Sequence, residues 1–346
     1  MGSQERQPLV SILIPVFNRE LYIEECVRSA LSQTVTDLEV VICDNASTDR
    51  SFDICAGIAQ HDKRVRLCRN ESNLGPLSNW IRCSQEARGV YGKILFSDDL
   101  MYSEYLARCL PYLRSKDVGL VFSAVELGMY PGCGAVGYAW TRRAGVVASN
   151  SYVHDVLFSG NAAYSPGAFI FRLNDIRNNL VASPSYAIGE RYSAQGMGPD
   201  LGLCLLTASQ YPYIAHVPDA LCFFRAHHAS FTASTRAQTR LWNYNRVRKA
   251  HLERSGDWKH MRRWVAWSWF MAMAASGRPV RLSDHLKDLD IKEMNFRPKL
   301  LDLLWGGTAG MWPALVKQSR RFGFLRGCGA RQSMRTNSGN SICDEV

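Results

Sequence analysis

Two nucleotide-binding signatures are missing from this chain of 346 residues. No G-x-G-x-x-G follows the first apolar run, and G-x-x-x-x-G-K-[ST] occurs nowhere, which argues against dinucleotide-binding and P-loop phosphate cradles. The eleven cysteines contain no C-x-x-C pair. Several, including Cys26, Cys43, Cys55 and Cys204, lie inside apolar segments, where a reduced thiol acts as a small hydrophobe. That pattern excludes a zinc module or a secreted disulfide framework and predicts a reducing, cytoplasmic setting. The longest apolar run, from Trp264 to Ala275, is too short to span a bilayer. Residues 1–8 are polar and lead straight into a strand pattern, without the features of a signal peptide. Low-complexity character is confined to residues 326–346, rich in Gly, Ser, Asn and Arg, which are expected to form a disordered tail.

The charge is unevenly spread. Residues 1–235 carry 20 Lys/Arg and 22 Asp/Glu, a balance of −2; residues 236–346 carry 21 and 9, a balance of +12, and the two sum to the net +10. The basicity therefore belongs to the C-terminal third, which implies a region with its own partner.

The first hundred residues alternate between two periodicities. Leu9–Val16 has the pattern of a buried strand, and Asn18 is placed to cap a helix carrying Ile23, Val27, Ala30 and Leu31 at helical spacing. Leu38–Cys43 forms a second strand, with Ser47 as the cap of a helix whose inner face is Ile54, Cys55, Ile58 and Ala59. Val65–Cys68 forms a third, and Pro76 opens a helix with Leu77, Trp80, Ile81 and Ser84 on one side. The fourth strand, 93–97, ends in Ser97-Asp98-Asp99. Four strands alternating with three helices predict an α/β fold with a mostly parallel, Rossmann-like sheet. Its strand ends collect Phe17-Asn18, Asp44-Asn45, Asn73 and Asp98-Asp99 on one edge, where open sheets bind ligands. Two adjacent carboxylates repel each other unless a cation lies beside them, although an ordinary strand-end turn is also compatible with Asp-Asp alone.

Further on, Val118–Val125 and Ala168–Phe171 read as strands, 184–197 as a mobile surface loop, and Pro199 as the first residue of a helix through Ala208. Residues 213–225 are extended, and in Arg225-x-His227 the two side chains share one face. From Leu241 the chain becomes helical and rich in Trp.

This ordered set of motifs resembles the family 2 glycosyltransferases, inverting enzymes with a GT-A fold. The resemblance rests on Pro15-Val16-Phe17-Asn18, Asp44-Asn45-Ala46-Ser47-Thr48-Asp49, Asn73-x-Gly75 with Asn79, Ser97-Asp98-Asp99, Gly198-Pro199-Asp200 and Arg225-Ala226-His227. It implies a GT-A-like domain over 9–232, with a nucleotide-sugar half at 9–99 and an acceptor half at 100–232. A basic helical appendage would follow over 233–325. It also implies roles. Asp99 and His227 would bind Mn²⁺ or Mg²⁺. Pro15, Phe17, Asn18, Asp44, Asn45, Asn73, Asn79, Ser97 and Asp98 would hold the UDP-, dTDP- or GDP-linked donor. Asp200 would act as general base towards a glycan or lipid-linked acceptor. One departure concerns Asp44-Asn45, where the family often has two aspartates. An Asn carbonyl can still accept from a uracil or thymine N3–H, but without the charge.

Two other classes compete. A sugar-nucleotide-forming nucleotidyltransferase would carry a Gly-rich, basic loop after the first strand, and Pro15–Glu20 is not one. A nucleic-acid-binding protein fits the basic third, but no helix-turn-helix, zinc or RNA-binding signature accompanies it, which argues against nucleic acid as partner. A non-catalytic lectin-like relative is disfavoured by the presence of Asp99 and Asp200. Lys259–Trp264 superficially resembles the Q-x-x-R-W signature of processive synthases but lacks the Gln and the membrane helices. Arg320-Arg321-Phe322-Gly-Phe324-Leu325-Arg326 interleaves cations with aromatics, as a peripheral membrane anchor does.

Overall fold

The computed structural model describes residues 6–140, 144–158, 162–182, 197–227, 230, 235 and 237–291. The tail at 326–346, the Arg320–Arg326 segment and nearly all of the 184–197 loop lie outside the described residues.

The alternation read from the sequence is realised as β1 (Val10–Val16), α1 (Ile23–Leu31), β2 (Leu38–Asp44), α2 (Ser51–His61), β3 (Val65–Arg69), α3 (Pro76–Glu86) and β4 (Tyr91–Ile94). These four strands lie in the order β3-β2-β1-β4, all parallel, with β1 and β2 in register from Val10↔Leu38 to Val16↔Asp44. Helices on the faces of a parallel sheet bury both sides of its central strands. Accordingly Ile12, Leu13, Ile14, Val40, Val41 and Ile42 have no exposure.

Beyond β4 the direction reverses. Elements β5 (Leu100–Met101), α4 (Tyr105–Leu113), β6 (Val118–Gly128), β7 (Ala135–Gly137), β8 (Gly145–Ala148), α5 (Ser149–Phe158), β9 (Phe169–Arg172), α6 (Leu173–Ala182), α7 (Pro199–Gln210) and β10 (Tyr213–Arg225) complete the domain. Strand β9 runs antiparallel to both β4 and β6, and β10 returns parallel to β6. The sheet is thus parallel in its N-terminal half and mixed in the other. This mixing brings the C-terminal end of β10 to the turn after β4.

Two expected caps are not caps. Asn18 has φ of 51° and Tyr22 stands at the N-cap of α1; Arg50 stands at that of α2. Instead the Asn18 amide donates to Ser47 Oγ at 3.0 Å, and the Thr48 amide donates to Asn18 Oδ1 at 2.9 Å. The loops after β1 and β2 satisfy each other's polar groups, so neither side chain is left for a helix end.

Contacts divide the chain into one unit ending at Gly256 and another starting at Asp257. Helix α8 (Ala237–Ser255) falls in the first unit, although residues from 233 onward read in sequence as an appendage. In the second unit α9 (Trp258–Ser276) and α10 (Leu282–Asp288) are joined by Ser268 Oγ and His285 Nε2 at 2.8 Å. No helix among the described residues is long and apolar enough to cross a membrane.

Candidate active site

The edge formed by the C-terminal ends of β1, β2 and β4 carries most of the expected residues. Pro15 lies in β1, and Phe17, 39% exposed, stands at its mouth. Asp44 ends β2 with no exposure. Its Oδ2 accepts from the Ser47 amide at 3.1 Å and lies 3.3 Å from Arg69 Nε. Its Oδ1 is buried and has no hydrogen-bond partner among the described residues. A buried carboxylate oxygen left in this state costs free energy that a donor would restore.

Asn45 is tied into the loop after β3. Its Nδ2 donates to Asn73 Oδ1 at 2.8 Å, and its Oδ1 accepts from Asn70 Nδ2 and from the Leu74 amide, both at 2.9 Å. Both lone pairs of that carbonyl are occupied, so Asn45 holds the 70–75 loop. Asn79 does similar work: it donates to the Cys43 carbonyl and accepts from Asn70, again at 2.9 Å. The loop can therefore approach α3 through Gly75, whose φ of 81° suits glycine.

The turn after β4 holds the charged corner. Ser97 and Asp99 are each 7% exposed. Burial, followed by the neighbouring Asp98 charge, raises the Asp99 carboxyl well above the ordinary range. Strand β10 answers this pair. The Arg225 amide donates to Asp99 Oδ1 at 2.9 Å, and Arg225 Nε donates to the Asp98 carbonyl at 3.0 Å. His227 Nε2 donates to Asp98 Oδ2 at 2.9 Å, and Arg19 Nε lies 3.5 Å from the same oxygen. The structure thus brings His227 to Asp98, whereas the motif reading grouped it with Asp99. From α1's entry, Tyr22 packs on the His227 ring at 4.7 Å and under the Arg225 guanidinium at 5.3 Å. Lys93, fully buried in β4, donates to the carbonyls of Ile94 and Gly167 and lies 4.7 Å over the Tyr105 ring.

Asp200 stands apart from this corner in sequence and in partners. It occupies the first turn of α7, after Gly198 with φ of 105°. Its Oδ1 accepts from the amides of Gly198 (2.6 Å) and Leu201 (2.8 Å), and its Oδ2 accepts from the Tyr244 hydroxyl at 2.7 Å. Burial pushes its carboxyl up to about 6, and these three donors limit the rise.

Arg19, Tyr22, Lys93 and Tyr244 were missed by motif reasoning. Arg19 adjoins a motif and could have been suspected. Tyr244 carries no local signal, because its relation to Asp200 exists only once α8 packs on α7.

Residues 11–132 match the family model described as glycosyl transferase family 2. An uncharacterized glycosyltransferase of Haemophilus influenzae is 27% identical over 231 residues, 64% of this chain and 67% of its own. Residues 11–132 thus carry a domain of the glycosyl transferase family 2 type, and the chain is a glycosyltransferase. Chondroitin synthase of Escherichia coli is 42% identical over 117 residues, which are 34% of this chain and 17% of the synthase. The match to that much longer enzyme is thus confined to a minor part of it. Among solved structures, S. aureus TarS 1–349 in complex with UDP-GlcNAc superposes with a TM-score of 0.53 at 16% identity, covering 81% of this glycosyltransferase and 70% of TarS. At that identity the likeness shows the shared GT-A fold.

Proposed function

We propose that this glycosyltransferase moves a sugar from a nucleotide diphosphate to a saccharide acceptor, glycan or lipid-linked, with inversion at the anomeric carbon. The observation that carries the reading is the closure of the β4 turn by β10: His227 reaches Asp98 across 129 residues of sequence. That closure gathers two carboxylates, an imidazole and two guanidinium groups beside the nucleotide-binding edge. Such a corner suits a diphosphate better than an uncharged ligand.

The donor base would lie between Phe17, which offers a face for stacking, and Asp44. Only Oδ1 of Asp44 lacks a partner, since Oδ2 already has Ser47 and Arg69. A single accepting atom matches the one imide N–H of uracil or thymine. Guanine would present two adjacent donors. UDP- and dTDP-sugars are therefore favoured over GDP-sugars.

A divalent ion fits the donor set. Hard cations prefer carboxylate oxygens, and buried Asp99 beside Asp98 is a pair that a cation would relieve. Among the described residues no three His, Cys, Asp or Glu side chains gather to hold a metal by themselves. Asp99 and Asp98 would thus hold Mn²⁺ or Mg²⁺ together with phosphate oxygens, with His227 orienting Asp98. When bound, the ion supplies Lewis-acid stabilisation of the departing diphosphate. Arg19 and Arg225 set guanidinium groups beside the carboxylates, where they can also meet phosphate oxygens. Asp200 takes the acceptor hydroxyl's proton as that oxygen attacks from the face opposite the diphosphate. A carboxyl near 6 is mostly ionised at neutral pH yet basic enough for the task.

Calorimetric titration with UDP-, dTDP- and GDP-sugars, with and without Mn²⁺, tests the assignment. Binding of a pyrimidine donor that requires Mn²⁺ and is lost in Asp99→Ala is the expected result. Asp200→Asn should keep that binding and lose transfer. Donor binding indifferent to both metal and Asp99, or near-normal turnover by Asp200→Asn, would overturn it.

A further inference from the structure

We propose that Tyr244 is a positioning residue for the base, its hydroxyl fixing the Asp200 carboxylate so that one accepting lone pair is left for the acceptor. The inference rests on the reading of Asp200 as general base and adds to it a residue from α8, well outside residues 11–132 that match the family model.

An ionised carboxylate has about four accepting sites, two on each oxygen. At Asp200 the two backbone amides of the α7 N-terminus occupy Oδ1, and the Tyr244 hydroxyl occupies one site on Oδ2. Among the described residues a single site on Oδ2 is left without a partner, and an acceptor hydroxyl that donates there has its oxygen placed by the other three bonds. Tyr244 can hold this post because its own ring is fixed. It meets Tyr164 edge-on at 5.0 Å, and Tyr164 meets Tyr138 at 6.0 Å. Burial and the neighbouring Asp200 charge raise the Tyr244 phenol well above its ordinary value, so it stays protonated and donates. Among the described residues the other ionisable groups that interact with Asp200 are Cys204 on α7, Tyr138 and, one turn beyond Tyr244, Arg248. Arg248 is held by the Val156 carbonyl at 3.2 Å and by Asn245 at 3.3 Å, so the hydroxyl of Tyr244 is the side-chain donor on the carboxylate.

A bond that favours the ionised form lowers a carboxyl's pKa, and one donated to a charged group is strong enough to move it by about one pH unit or more. The test uses the full chain labelled with ¹³Cγ-aspartate, with Asp200→Asn identifying the Asp200 signal. Its titration midpoint should rise by about one pH unit in Tyr244→Phe, a change that retains the ring and its contact with Tyr164. In parallel, slow nucleotide release from the donor selected by calorimetry should show its acid limb shifted by the same amount, with donor KM unchanged. Unchanged donor binding verifies that the variant is folded. An Asp200 midpoint equal to that of the wild type in Tyr244→Phe overturns the inference. Wild-type nucleotide release by Asp200→Asn, with the midpoint shift intact, instead overturns the base reading on which it rests.

Discussion

The environment of Asp200 has a consequence for stability as well as for chemistry. Its carboxyl binds a proton up to about 6 in the folded chain and up to 3.8 when unperturbed, because burial penalises the charge. Between those values the folded state holds more protons than the unfolded one. Stability therefore falls as pH rises through that window and is level above it. An Asn side chain carries no charge to desolvate. Its Oδ1 still accepts from the Gly198 and Leu201 amides, and its Nδ2 can donate to a rotated Tyr244 hydroxyl. Asp200→Asn should accordingly be more stable than the wild type by about 1–2 kcal/mol at pH 8 while inactive in transfer. Thermal melts at pH 4.5, 6 and 8 check this. The gap in Tm should open between the first two and persist at the third; a gap that does not vary with pH would remove burial of charge as its cause. With Asp200 in the proposed role of base, activity should run the opposite way, falling as pH drops through about 6 as its carboxylate takes up a proton.

At the scale of elements, the charged corner depends on how β4 is led into the sheet. Ser11 Oγ donates to Glu39 Oε1 at 2.6 Å and accepts from the Gly89 amide at 2.8 Å, while the Arg88 amide donates to the same Glu39 oxygen at 2.6 Å. This buried clasp draws the 88–90 segment so close to β1 that a Cβ on Gly89 would lie 2.7 Å from the Ser11 nitrogen and 2.9 Å from the Val10 carbonyl carbon. Backbone cannot yield as a side chain can. Gly89→Ala should thus cost about 1–3 kcal/mol and shift β4. Gly57, inside α2, would meet nothing within 4 Å, and Gly57→Ala should stabilise by up to about 1 kcal/mol. Denaturant titrations of the two variants should move their midpoints in opposite directions, and a shared direction would contradict the clasp. The alternation that built β1 to β4, and the helix opening at Pro199, were legible because periodicity and Pro placement are local signals. Asn18 and Ser47 were misread as helix caps for a common reason. Each has a partner 29 or 30 residues away, so its hydrogen bond is settled by strand pairing and loop contact and not by its neighbours in sequence. The antiparallel insertion of β9 was equally hidden, since a short apolar run carries no mark of direction.

At the scale of the whole molecule, the two ends of the chain differ in charge far more than a uniform surface would. The described catalytic unit places its cations in specific pairs, such as Arg19 with Asp98, Arg69 with Asp44 and Arg225 with Glu25. Residues 257–346, with 15 Lys/Arg against 8 Asp/Glu, cannot pair all of theirs with one another. We propose that this surplus faces an anionic membrane surface bearing a lipid-linked acceptor. Such a surface attracts roughly 1 kcal/mol per nearby cation. Phe322, Phe324 and Leu325, set among Arg320, Arg321 and Arg326, would add apolar insertion to the attraction. Attraction of this kind is screened by salt, with a Debye length of about 10 Å at 0.1 M and about 3 Å at 1 M. The full chain should cosediment with phosphatidylserine-containing vesicles at the lower salt and be largely released at the higher. Removal of residues 315–346 should abolish binding while leaving nucleotide-sugar affinity unchanged, because the donor corner is built entirely from residues before 230. Full chain remaining in solution at 0.1 M salt, or vesicle binding undiminished by the deletion, would refute the membrane role.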